Sequence, residues 1–376
     1  MADIQNSYQH GLVDDLGVGV GKGRCIGLPI LCIIPSGREV ILRLLSYVLR
    51  RLIGMPFIIL GLILLVFLIT RVIPADPVSF IAGGTATPEQ VAQLKHKWGL
   101  DKPLQVQFLL YVRQLAKGDF GVSLYTHRPV IEDIVGRLPA TLELTFVAVC
   151  MSVLVGIPLG IISALWRNSW LDHLLRGASI AGLAIVGFWL AIMLQLLISY
   201  KLGFLPLTGR IGVDPPQHIT GFFIIDSILT LNGKALLSSV KHLLLPATSV
   251  AFSTSATIVR FTRAGVLDVI RSDYVLHERA MGLPYPIIVL KYVLRSAITS
   301  TVTQIGLLFA MLLGGEVVIE TVFDWPGIGI FLVKSILLSD YKVILGVTVW
   351  IGFIYIVVNL IIDILHTFID PREVEK

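Results

Sequence analysis

Six stretches of this chain are too apolar and too long for the surface of a soluble protein, and they constrain every other reading. They cover residues 52–73, 142–166, 177–200, 243–259, 298–319 and 343–368. About 20 apolar residues in a helix cross the roughly 30 Å of hydrocarbon in a bilayer. A soluble domain of this size would instead alternate apolar and polar residues with helical or strand periodicity. Composition agrees, since 55% of the residues are hydrophobic and only 15% are charged. The expected fold is all-α: a polytopic membrane protein with six transmembrane helices. The fourth run is the most dilute, carrying Thr248, Ser249, Ser253, Thr254, Ser255 and Thr257. Hydroxyls of this kind bond to helix carbonyls within a bundle, so this span is expected to face protein or a wet path rather than lipid.

Basic residues in short loops set the orientation. Arg38, Arg43, Arg50 and Arg51 precede the first run, and Arg167 and Arg176 flank the turn after the second. These place the N-terminus in the cytoplasm, and six crossings return the C-terminus to the same side. The stretch at about 74–138 is then external. It contains two expected helices, one opening at Thr87–Pro88–Glu89 and one over 103–117. The net charge of +5 is modest, and its basic residues flank the apolar runs, where they meet lipid headgroups. Nucleic acid is not an expected partner.

Residues 1–40 read as a disordered extension. Gly17–Gly23 with Lys22 superficially matches a phosphate loop, but Gly23 stands where a magnesium-binding hydroxyl belongs, so no nucleotide site is expected there. Its short apolar patch cannot span a membrane and lacks a signal-peptide cleavage site. Cys25, Cys32 and Cys150 have neither disulfide-framework nor metal-site spacing. No paired catalytic carboxylates and no nucleophile with a base are evident. The reading is therefore a non-catalytic transport subunit, without cofactor or metal.

Two features invite function. Residues 260–295 form a connection of 36 residues with six Arg or Lys between the fourth and fifth runs, far longer than a simple turn requires. Within it, 273–281 can form two helical turns, Gly282 can end them at positive φ, and Pro284 and Pro286 stiffen the restart. The second feature is a set of polar residues near or within the spans: Glu143, Gln304, Glu316 and Glu320, with Glu316 and Glu320 four apart on one helix face. Ionisable groups at such depth are costly to insert. They are candidates to line a pathway and meet a substrate ammonium, or else to bond between helices.

The ordered stretches RVIPADPV, RLPATLELT, LGFLPLTGR, HLLLPA and ETVFDWPGIGIFLVKSILLSDY carry a resemblance. The chain resembles permease subunits of the dipeptide/oligopeptide/nickel class of bacterial ATP-binding-cassette importers, of the dipeptide-permease-B type, from about residue 41 to the C-terminus. The resemblance implies the type I importer permease fold and a location in the bacterial inner membrane. It also implies a heterodimer with a second permease subunit, two ATPase domains and an external substrate-binding protein. It assigns Tyr274, Glu278, Arg279, Ala280, Gly282 and Arg295 to a loop that couples the spans to the ATPase, with Leu276, Glu278, Met281 and Ser300 departing from the family pattern. Peptides are the expected cargo. Nickel chelates or other small solutes are alternatives, and a gradient-driven secondary transporter is a rival of a different kind.

Overall fold

Helical hydrogen bonding extends well past the apolar runs, and that excess organises the molecule. The computed structural model describes residues 53–69, 89 and 102–369, all within the unit Tyr47–Lys376. Residues 1–40, the helix opening at Thr87 and both chain ends lie outside the described residues. The helices are α1 (Ile53–Ile69), α2 (Leu104–Ala116), α3 (Val130–Leu165), α4 (Trp170–Ala184), α5 (Gly187–Lys201), α6 (Phe223–Leu229), α7 (Gly233–Ile270), α8 (Asp273–Ala280), α9 (Tyr285–Gly314), α10 (Val317–Val322), α11 (Ile328–Leu337) and α12 (Tyr341–Ile369). Among the described residues the only extended pairing is an isolated bridge between Val122 and Pro129.

Helices α3, α7, α9 and α12 are each long and apolar enough to cross a membrane. The run at 177–200 is not one straight span. Helices α4 and α5 meet at 97°, because Ile185 and Val186 take extended backbone conformations before Gly187 restarts the helix. Counting that bent pair as one crossing gives five spans among the described residues. The first run is described only as the shorter apolar helix α1.

Helix α7 is the centre of the bundle. Half of its most apolar window is buried, against 33% for α3 and 22% for each of α9 and α12. Its hydroxyls turn inward on their own helix: Thr248 and Ser249 donate to the Leu245 carbonyl, Thr254 to Val250 and Ser255 to Ala251. A hydroxyl that bonds its own backbone buries no unpaired donor, so a Ser/Thr-rich helix can occupy the interior. Packing against α3 is very close. A Cβ added at Gly160 would lie 2.6 Å from the Thr262 Cβ, and one at Gly156 would lie 2.7 Å from Ile258. Small residues four apart let the two backbones meet.

Helix α2, Leu104–Ala116, forms where a helix is expected over 103–117. Its Phe108 and Tyr111 pack on Phe67 of α1 and Leu345 of α12, with the Phe67 and Phe108 rings 5.4 Å apart.

Candidate functional site

Two regions, at opposite ends of the long helices, contain the residues singled out by sequence. The first is the turn between α7 and α9. The connection is shorter than the 260–295 expected, because α7 stays helical to Ile270 and α9 restarts at Tyr285. An apolar run marks where lipid contacts the chain, not where helical hydrogen bonding stops. What remains is α8 and its two turns.

Each end of α8 is fixed by backbone chemistry. The Ser272 hydroxyl donates to the Val269 carbonyl at 2.6 Å, turning the chain out of α7. At the other end the Gly282 N–H donates to the Arg279 carbonyl at 3.0 Å and the Leu283 N–H to the Glu278 carbonyl at 3.4 Å. That double closure is a Schellman motif, and it requires a left-handed residue at the position of Gly282, where φ is +80°. Between these ends Val275 is fully buried. It joins Ala164 of α3, Val266 of α7 and Ile288, Val293 and Ala297 of α9 in one apolar cluster. A single side chain thus seats α8 against three long helices.

The remainder of α8 faces outward. Tyr274, Leu276, Arg279, Ala280 and Met281 are exposed, as are Tyr285, Ile287 and Arg295 on α9. The Arg279 guanidinium lies 5.2 Å from the centre of the Tyr285 ring. Glu278 is half-buried, and one of its carboxylate oxygens is buried without a hydrogen-bond partner. An aromatic, apolar and basic surface on a firmly seated short helix suits docking onto another protein.

Beside this turn sits an ion pair that sequence reading did not single out. Asp172, fully buried near the start of α4, accepts from Arg263 of α7 through both oxygens, at 2.9 and 3.0 Å. It also accepts from the Ser163 hydroxyl of α3 at 2.6 Å and from the Asn168 N–H at 3.0 Å. Its two oxygens meet four donors drawn from α3, the following turn and α7, so α4 is tied to the same helices that hold α8.

The second region lies at the other end of α3 and α9. Glu143 is buried and ion-paired with Arg210, whose Nη2 and Nε lie 2.5 and 3.1 Å from one carboxylate oxygen. The other oxygen accepts from the Ile224 N–H at 2.8 Å. Arg210 also donates to the Gly221 carbonyl and stacks on the Phe223 ring, 3.8 Å from its centre. Nothing local in the sequence pairs residues 67 positions apart, although LGFLPLTGR contained the signal: an arginine amid apolar residues needs a buried acid.

Glu320 is equally occupied. Its oxygens accept from the Thr141 hydroxyl at 2.6 Å and the Ile330 N–H at 3.0 Å. Thr141 in turn accepts from the Ile328 N–H at 2.9 Å, and Trp325 Nε1 donates to the Ala140 carbonyl. Glu320 therefore caps the N-terminus of α11 from a distance, where unpaired amides and the helix dipole favour an anion. A Cβ at Gly327 would fall on this carboxylate, which explains the glycine in DWPGIG. Glu316, where α9 gives way to α10, is only 8% exposed, and Gln304 of α9 is half-buried.

The chain matches known proteins along most of its length. The family model described as the binding-protein-dependent transport system inner membrane component matches residues 156–374, and the model of the corresponding N-terminal region matches residues 44–145. The chain belongs to this family. It is 42% identical over 321 residues to a probable D,D-dipeptide transport system permease of Escherichia coli K12, covering 85% of this chain and 94% of that one. A dipeptide transport system permease of Alkalihalophilus pseudofirmus is 37% identical over 330 residues, covering 88% and 99%. A glutathione transport system permease of Salmonella typhimurium is 36% identical over 328 residues, covering 87% and 98%. This permease is accordingly a multi-pass inner-membrane component of a binding-protein-dependent transport system.

Proposed function

We propose that this permease forms half of an ATP-driven pathway for small peptides, opening by alternating access when partner ATPases close. Its relatives are named for dipeptides, D,D-dipeptides and glutathione, and peptide is the cargo they have in common with the sequence reading. The partners are a second homologous permease, two ATPase domains and an external binding protein. The α8 end faces the cytoplasm with both chain termini, α1 completes a set of six spans, and residues 41–376 form one permease domain.

The observation that carries this reading is the seating of α8. The exposed face formed by Tyr274, Arg279, Ala280 and Met281, with the half-buried Glu278 at its edge and Arg295 on α9, is the surface offered to the ATPase. Val275 passes a push on that face into α3, α7 and α9, and the Arg263–Asp172 pair carries it to α4. A rigid connection is needed, since a compliant one would absorb the displacement that alternating access requires.

Gly282→Pro removes both the left-handed conformation and the N–H that closes α8. In the complex reconstituted with its ATPase, second permease and binding protein, this variant is expected to insert normally and lose dipeptide uptake. Full uptake with full substrate-stimulated ATP hydrolysis would overturn the coupling assignment. Uptake of dipeptide by the isolated chain under a pH gradient would favour a secondary transporter instead.

A further inference from the structure

The carboxylates at the outer end are not equivalent. Glu143 has a buried arginine and a backbone amide. Glu320 has a hydroxyl and a backbone amide, both donating. Glu316 has nothing: among the described residues its side chain neither accepts a hydrogen bond nor forms an ion pair, although it is more than nine-tenths buried. Its oxygens are not among the fully enclosed atoms left without a partner, so the carboxylate opens to the surface of the chain from a side chain that is otherwise enclosed.

The neighbourhood sharpens the anomaly. Glu320 lies four residues on, along the same face, and the Glu320 N–H donates to the Glu316 carbonyl at 2.9 Å. The bonding around Glu320 is that of an anion. Thr141 accepts from Ile328, so its proton is directed at Glu320, and the Ile330 amide donates to the other oxygen. No lysine or arginine pairs with either glutamate among the described residues. A carboxylate whose oxygens are occupied therefore stands one helical turn from a carboxylate that no side chain or amide of the described residues meets, where α9 gives way to α10. In a medium of low polarity such a place attracts a cation strongly.

Resting on the peptide-importer reading above, we infer that Glu316 receives the α-ammonium of the peptide as it leaves the binding protein for the pathway. The cation is an ammonium and not a metal ion, because no group of three or more His, Cys, Asp and Glu among the described residues could hold a metal. Glu316 is thus a specificity-determining residue. Glu320 supplies field without contact, its own oxygens being occupied.

The test uses the whole reconstituted complex, with saturating binding protein loaded with dialanine or with lactoyl-alanine, in which a hydroxyl replaces the α-ammonium. Glu316→Gln is expected to slow dialanine uptake by about tenfold or more, as for loss of one partner of a buried charge pair. It should leave stimulation of ATP hydrolysis by unloaded binding protein and co-purification of the second permease intact. Glu316→Asp should retain most uptake, and transport of lactoyl-alanine should be insensitive to the Gln change. Wild-type dialanine uptake by Glu316→Gln would overturn the inference and leave the importer reading standing. Loss of the second permease from the Glu316→Gln complex would also overturn it, by showing that the partner subunit supplies the missing cation. A wild-type complex that moves no dipeptide would refute the importer reading, and this inference with it. If the binding protein refuses lactoyl-alanine, the dialanine rates of the Gln and Asp variants decide alone.

Discussion

The two ends of this permease are held by different physics. At the α8 end the fixing elements are backbone turns and one apolar cluster around Val275, while the polar side chains of α8, the half-buried Glu278 apart, face outward. At the opposite end the fixing elements are buried polar groups: the Glu143–Arg210 pair, the Glu320 cap on α11 and the Trp325 indole bonded to Ala140. On the proposed reading the α8 surface docks the ATPase, and a docking surface cannot spend most of its charged side chains on its own interior. The opposite end can do so, and gains geometric definition from bonds that accept few alternative arrangements. The contrast teaches where each end is vulnerable: the first to changes of backbone freedom, the second to changes of charge.

The largest expected effect is therefore electrostatic and at the end that holds Glu143 and Arg210. Arg210→Met leaves the Glu143 carboxylate buried with one amide and no counter-charge, which costs about 3–5 kcal/mol when one member of a buried pair is removed. The thermal midpoint of the purified permease in detergent should fall steeply. The double variant Arg210→Met with Glu143→Gln should regain much of the loss, because no charge is then stranded. If the single and double variants were equally unstable, packing of the arginine stem on Phe223 and Trp325, rather than the ion pair, would define this end.

Next in size is the α8 turn, where the sensitive variable is φ. Around Gly282 there is open space, so a side chain clashes with nothing, and only the left-handed backbone resists substitution. Gly282→Ala should then cost about 1–2 kcal/mol locally, lowering uptake several-fold while substrate-stimulated ATP hydrolysis falls less. Gly282→Asn should be milder, since asparagine tolerates this conformation better. Equal uptake by the Ala and Asn variants would show that backbone strain is not what the glycine relieves.

Which of these features could be read from sequence follows from how local each one is. Apolar runs, the inward Ser/Thr pattern of α7 and the Gly282 turn are written in neighbouring residues, so α8 was legible down to its terminating glycine. The bend between α4 and α5 was not, because Ile185, Val186 and Gly187 occur as readily in continuous apolar helices. The extent of α7 beyond 243–259 was hidden for a related reason: its polar ends are helical through packing on α3 and α9, not through hydropathy. The outer cluster was legible only as a set of suspicious glutamates. Their division into two satisfied carboxylates and one unsatisfied carboxylate depends on Arg210, Thr141 and the amides of α11, which approach from distant parts of the chain.

The smallest expected effect tests whether charge governs the Glu143–Arg210 end beyond the spans as well. Asp226 in α6 is almost fully buried, and its oxygens accept from the Thr220 hydroxyl at 2.6 Å and from the N–H groups of Thr220, Gly221 and Ile219. Burial by itself would raise the affinity of this carboxyl for a proton, but the four donors outweigh it and hold the pKa below the ordinary carboxylate value. A folded-state pKa lower than the unfolded one contributes stability that is fully present above the unfolded value, near 3.8, and is lost as pH falls through the lower folded value. Asp226→Asn should therefore be less stable than wild type at neutral pH, and the gap should narrow as the pH is taken below about 4. Thermal unfolding of both proteins in the same detergent across that range measures it. A gap that stayed constant with pH would mean that the amide fails on shape rather than charge, and the loop from Ile219 to Phe222 would then belong with the α8 turn as a region set by backbone geometry.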